Sequence, residues 1–257
     1  MWFALGNVMQ AGAILAVAAF YWAVFLLSEP FCMFVFPPLR RKSRARQLSA
    51  FVRVPSMVNF LLVVPLSFYS LIYDAPIHRA TGSTDSLILL GTLASGYFTF
   101  DVTHAAYDYS GLAFLLHAVL CDAAFTIGLF SPFMHYYAAV FLMWEASTVF
   151  LNVGWFLLNV YDYPSSSLPM KVVNAVFALT FFLCRIVYGN YKSMQLLSDI
   201  ASLVSVYGWT PALTLYTLID LGMTALNLYW FAKILRVVLG SAKPSTSTSK
   251  TQSGPSS

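Results

Sequence analysis

Ionisable side chains stand inside long apolar stretches of this chain, among them Asp101, His117, Glu145, Arg185 and Asp220. A charge in the hydrocarbon region is costly, so such residues face a bundle interior and mark sites of binding, proton movement or ion pairing. Histidine moves protons near neutral pH. His117 is therefore the candidate among these residues for moving a proton.

The spacing places these residues on helix faces. Glu145, Thr148, Asn152, Trp155 and Asn159 follow one another at intervals of three or four, which makes one polar stripe on a helix. Thr217, Asp220, Thr224 and Asn227 form a second such stripe, and Tyr97, Asp101 and His104 a shorter one. Asn174 and Arg185 lie eleven apart, nearly on one line. His117 stacks on Cys121 one turn away, whereas Asp122, five positions on, points about 140° around the helix. The same stripes also suit interhelical hydrogen bonds worth about 0.6 kcal/mol each. Thr148, Thr224 and Asn227 read first as such bonds, Glu145, Arg185 and Asp220 equally as structural ion pairs, and His117 taken alone as a satisfied buried histidine.

Other chemistry is excluded by what the sequence lacks. The four histidines, His78, His104, His117 and His135, are too few for the histidine boxes of a di-iron desaturase. No HExxH zinc motif and no GxSxG elbow occurs. Cys32, Cys121 and Cys184 are far apart, without metal-site spacing, and read as buried free thiols. No metal, cofactor or nucleic-acid partner is expected.

The elements that must position these groups are membrane-spanning helices. Of 257 residues, 59% are hydrophobic and only 9% charged, against about 25% charged in soluble domains. Seven apolar stretches, over about 4–27, 50–73, 87–103, 111–130, 133–160, 170–190 and 208–238, are each long enough to span and do not alternate as barrel strands do. The expected fold is thus all-α and multi-pass. Six helices surround a polar cavity, and a peripheral N-terminal helix, with only Tyr21 and Trp22 as polar-tipped residues between Gly12 and Leu27, faces lipid. The first stretch is too long, and too poor in basic residues ahead of it, for a cleaved signal. A rhodopsin-type receptor fits by span count alone, but the sequence offers no cysteine pair for external loops.

Basic residues set the orientation. Arg40, Arg41, Lys42, Arg44, Arg46 and Arg53 cluster after the first span, and Lys171, Lys233, Arg236, Lys243 and Lys250 fall on the same side of a seven-span chain. The opposite loops keep Arg79 and Lys192. That side is cytoplasmic on this reading, and the 40–46 cluster suits anionic headgroups as well as setting topology. The organisation is then an N-terminal helix with its basic loop (1–47), a main transmembrane domain (48–238) and a tail (239–257) too poor in apolar surface to fold.

Three pieces of this pattern resemble the TLC-domain family of membrane proteins. They are Gly96-Tyr97-Phe98 through Asp101, Leu115-Leu116-His117, and Trp144-Glu145-Ala146-Ser147-Thr148-Val149-Phe150-Leu151-Asn152-Val153-Gly154-Trp155. The last is similar to the acidic-x-Ser-Thr-x-Phe-Leu-Asn pattern of the TLC domain-containing branch, and Phe181-Phe182-Leu183-Cys184-Arg185 resembles the family's late aromatic-then-arginine helix. The resemblance implies six helices around an interior cavity, often with an extra N-terminal helix, and work on lipids. Ceramide synthases in this family join a fatty acyl group from CoA to a sphingoid amine. This chain departs from them: Ala118 follows His117 where a second histidine stands, Glu145 and Thr148 replace an Asp-x-x-Asp pair, and Trp155 replaces a lysine. The expectation is a lipid-handling protein that binds membrane lipid in its cavity through Asp101, Thr148, Asn152, Arg185 and Asp220 and serves lipid homeostasis or trafficking. The alternative is an acyl-CoA-dependent acyltransferase centred on His117 as general base or acyl-accepting nucleophile, with Glu145 orienting its imidazole or stabilising its cation and Asp101, near the cytoplasmic mouth, positioning the thioester. The resemblance also implies the endoplasmic reticulum or a connected membrane.

Overall fold

The computed structural model describes residues 2–108 and 111–240. The low-complexity tail expected from Ser241 onward lies outside them. Among the described residues seven helical segments are long and apolar enough to cross a membrane: α1 (Gly6–Val35), α2 (Arg44–Tyr73), α3 (Asp85–Tyr107), α4 (Leu112–Phe130), α5 (His135–Asn159), α6 (Leu168–Tyr207) and α7 (Pro211–Val238). In hydrocarbon every backbone N–H and C=O must be satisfied within the segment, and a helix does this locally.

Three of the segments depart from regular α-helix. α2 turns at Val52, between Arg44–Phe51 and Arg53–Tyr73. α5 tightens to a 3-10 helix over Met143–Ser147, and α6 widens to a π-helix over Phe182–Tyr188. Pro211 opens α7, where its missing N–H is harmless, while Pro65 lies inside α2.

α6 is longer than the expected 170–190. Its second half, Gly189–Tyr207, is helix rather than loop. This part is too polar to read as a span on its own, but Leu196, Ile200 and Leu203 recur on one face and bury against Met134, Tyr137, Val140, Leu213 and Tyr216. Lys192 therefore belongs to a helix, not to a loop. Gly208 then reverses the chain with φ +71° and ψ 179°, a backbone region open essentially to glycine alone.

α1 lies against α3 with one face and leaves the other exposed. Val8, Met9, Leu15, Leu26, Leu27 and Phe34 form the open side, as a peripheral lipid-facing helix requires. Tyr21 does not join them. It is fully buried, its ring 5.1 Å from that of Tyr97, and its hydroxyl donates to Asn59 Oδ1 at 3.1 Å. Gly96 permits the close approach, since a Cβ there would lie 2.4 Å from Val17.

Contacts between connections agree with alternating spans. Lys42 pairs with Asp162, joining the α1–α2 and α5–α6 connections at one end. At the other, Met134 N donates to Ala80 O at 2.8 Å, tying the α4–α5 and α2–α3 connections together.

Candidate functional site

The two irregular helical turns meet at a buried ion pair. Glu145 sits in the 3-10 turn of α5 and Arg185 in the π turn of α6, with Arg185 Nη2 3.5 Å from Glu145 Oε1. Both residues are buried. Arg185 is closed on every side: its Nε donates to Ser147 Oγ at 3.3 Å and its Nη1 to Asn227 Oδ1 at 3.2 Å. Its guanidinium also lies 5.3 Å from the Phe181 ring and 6.0 Å from that of Trp144. Glu145 accepts a further bond from Thr148 Oγ1 at 2.9 Å. Trp144 packs on Gly189, where a Cβ would come within 2.8 Å of the indole nitrogen, so this glycine lets α5 and α6 approach.

Beside the ion pair is a cavity walled by α3, α4, α5, α6 and α7. Most of its lining is apolar, including Leu87, Phe98, Phe125, Leu142, Ile219 and Met223. His117, Cys121, Glu145 and Asp220 bring polar atoms to the wall. His117 Nδ1 lies 3.6 Å from Cys121 Sγ, as their spacing on α4 predicts. Its ring meets the edges of Phe98 and Trp230, with centroids at 5.9 and 5.3 Å. Asp220 accepts a hydrogen bond from Ser193 on Oδ2, while its Oδ1 is buried with no partner among the described residues.

The sequence-predicted residues thus divide into two groups. His117, Glu145 and Asp220 share the cavity wall. No hydrogen bond joins His117 to Glu145 among the described residues; the Glu145 carboxylate is held by Arg185 and Thr148 instead. Asp101, Thr148, Asn152 and Arg185 do not line the cavity. Asp101 is half-buried on α3. Asn152 bridges α5 to α2, accepting from Arg53 Nη1 at 2.8 Å and donating to Ser56 Oγ at 3.2 Å. Asp122, directed away from His117, accepts from Thr99 Oγ1 at 2.9 Å. The cavity is accordingly more apolar than the stripes suggest, because Asn152, Arg185 and Asn227 bond helix to helix, while Thr148, Asn159 and Thr217 bond within their own helix.

Ser193 and Gly189 complete the site and had no distinguishing signal in the sequence, whereas Trp144 and Ser147 stood within the piece that carries the family resemblance but were given no role there. Ser193 belongs to the stretch read as loop, and a lone serine or glycine in an apolar run has many uses.

In comparison with known proteins, a family model described as a TLC domain matches residues 51–236. The chain is 31% identical over 161 residues to Topoisomerase I damage affected protein 4 of Saccharomyces cerevisiae, covering 61% of this chain and 57% of that one. It is 25% identical over 235 residues to an uncharacterized TLC domain-containing protein of Schizosaccharomyces pombe, covering 88% of this chain and 77% of that one. A second, uncharacterized TLC domain-containing protein of Saccharomyces cerevisiae is 31% identical over 160 residues, or 61% and 50% of the two chains. The chain spans little more than half the length of the first of these relatives and half that of the last.

Proposed function

The chain belongs to the TLC-domain family, and from that premise we propose that it is a lipid-handling membrane protein that holds a lipid in its intramembrane cavity. The observation behind this reading is the cavity itself. An apolar wall suits an acyl chain, and the buried, unpartnered Oδ1 of Asp220 offers an acceptor to a hydrogen-bond donor on the ligand. A buried acceptor left without a donor costs about 1–3 kcal/mol, which a bound hydroxyl would recover. Glu145 and Arg185 neutralise one another and fix the wall. The role is lipid homeostasis or trafficking in the endoplasmic reticulum or a connected membrane, a compartment supported by family membership alone.

The test is to purify the protein in a mild detergent, extract what accompanies it, and compare it with an Ala124→Phe variant, whose ring would fill the cavity. The expected result is one lipid class retained by the wild type and depleted several-fold in the variant, with both proteins monodisperse. Equal retention of the same lipids by both would overturn the reading.

A second reading, acyl transfer from acyl-CoA, is favoured by one observation: His117 stands on the same wall as Glu145, with no hydrogen bond from its ring beyond Cys121 among the described residues. His117 would act as base or acyl-accepting nucleophile. Acceptor-dependent CoA release by the wild type, absent from His117→Ala, supports it; identical background release by both removes it.

A further inference from the structure

Four cations of the bundle face carboxylates: Lys42 faces Asp162, Arg44 faces Glu29, Arg79 faces Asp199 and Arg185 faces Glu145. Arg53 faces none among the described residues. It begins the membrane-crossing part of α2 after the turn at Val52, beside the basic 40–46 segment. Its guanidinium lies over the Trp155 ring, 4.4 Å from the centroid, and its Nη1 donates to the neutral Asn152 Oδ1 at 2.8 Å. Nε is buried and has no acceptor. Nη2 likewise has no partner among the described residues.

The geometry of what is left open is specific. Nε and Nη2 form one edge of the planar guanidinium, with two parallel N–H bonds that match two oxygens of a tetrahedral or planar anion. Trp155 on the face and Asn152 on the other edge hold the plane still. A half-buried cation whose donors lack an acceptor is costly unless an anion completes it. Arg53 is the first residue of the Arg53–Tyr73 segment and lies close in sequence to the basic 40–46 stretch, a setting that suits a phosphate better than an acyl chain.

We propose that the Nε–Nη2 edge of Arg53, held by Trp155 and Asn152, binds a phosphate group. The phosphate is that of a lipid headgroup or of a soluble phosphorylated compound. This site does not line the cavity, so it stands independently of the reading given above.

The test is native mass spectrometry of the purified full chain titrated with phosphatidic acid and, separately, with diacylglycerol of the same chains. The expected result is a preference for phosphatidic acid that falls about tenfold or more in Arg53→Gln, since a hydrogen bond to a charged group is worth that much. Arg53→Lys should lose most of the preference, because a point charge cannot make the paired bonds. An Arg41→Gln/Arg46→Gln variant, which removes two exposed cations nearby, should keep it. Competition by adenosine 3′,5′-bisphosphate would assign the phosphate to a soluble compound; phosphatidic acid binding without competition would assign it to a lipid. Should Arg53→Gln not fold, the wild type suffices: phosphatidic acid, but not diacylglycerol, should slow phenylglyoxal modification of Arg53 about tenfold or more, by the same charged bond. A wild type without preference, an Arg53→Gln variant that retains it, or unslowed modification overturns the proposal.

Discussion

At the scale of single residues, Arg185 and Glu145 carry opposite charges into the interior and depend on each other there. Removing one partner of a buried pair leaves the other uncompensated, which costs about 3–5 kcal/mol, whereas removing both is far less harmful. Glu145→Gln and Arg185→Gln should therefore each destabilise by about 3 kcal/mol, and the double variant should lose much less than the sum. A double-mutant cycle measured by denaturant unfolding in micelles checks this; additive losses would show that the pair does not couple. The charged residues of the site were legible in the sequence, because an ionisable group in an apolar run is conspicuous. Their pairing was not. Glu145 and Arg185 stand forty positions apart, and which of Asp101, His117 or Arg185 it meets depends on how α5, α6, α3 and α4 rotate against one another. For His117 the local reading held where it was helical, in the contact with Cys121 one turn away.

At the scale of elements, the ion pair sits where α5 and α6 both leave the α-helical path. A 3-10 turn and a π turn change the direction in which side chains leave the axis, and here they face each other over Met143–Ser147 and Phe182–Tyr188. Neither contains a proline or glycine, so periodicity gave no notice of them. Gly189, at the end of the π turn, does mark the junction, since its missing Cβ is the room that Trp144 occupies. Gly189→Val should push α6 away from α5 at a cost of about 1–3 kcal/mol, the usual penalty of overpacking. Thermal unfolding in detergent should show the loss, and Gly12→Val, where a Cβ would meet nothing within 4 Å, should not. Equal effects at the two glycines would remove the close α5–α6 approach as the cause. The extension of α6 to Tyr207 escaped the sequence for a different reason. Hydropathy finds helices uniformly apolar over about twenty residues, while Gly189–Tyr207 is amphipathic and buries only one face.

At the scale of the whole molecule, the span count was the most legible feature, because about twenty apolar residues without strand alternation admit only a helix in lipid. Seven spans in alternation put the α1–α2, α3–α4, α5–α6 connections at one end, and the Lys42–Asp162 pair places two of them together. Basic residues are concentrated at that end, with Arg40, Arg41 and Lys42 in the α1–α2 connection, Arg44 and Arg46 in the first turn of α2, and Lys171, Lys233 and Arg236 near it in the alternation, against Arg79 and Lys192 toward the other. Short loops rich in Lys and Arg stay on the cytoplasmic side during insertion. The α2–α3 connection should therefore be lumenal or external, and the α5–α6 connection cytoplasmic. A glycosylation acceptor on a flexible spacer, inserted near Thr81 in one variant and near Ser166 in another, distinguishes the two. Glycosylation near Thr81 alone is the expected outcome. Glycosylation near Ser166 alone would invert the protein, and would place the Arg53 edge and its basic surroundings on the lumenal face, out of reach of anionic cytoplasmic headgroups.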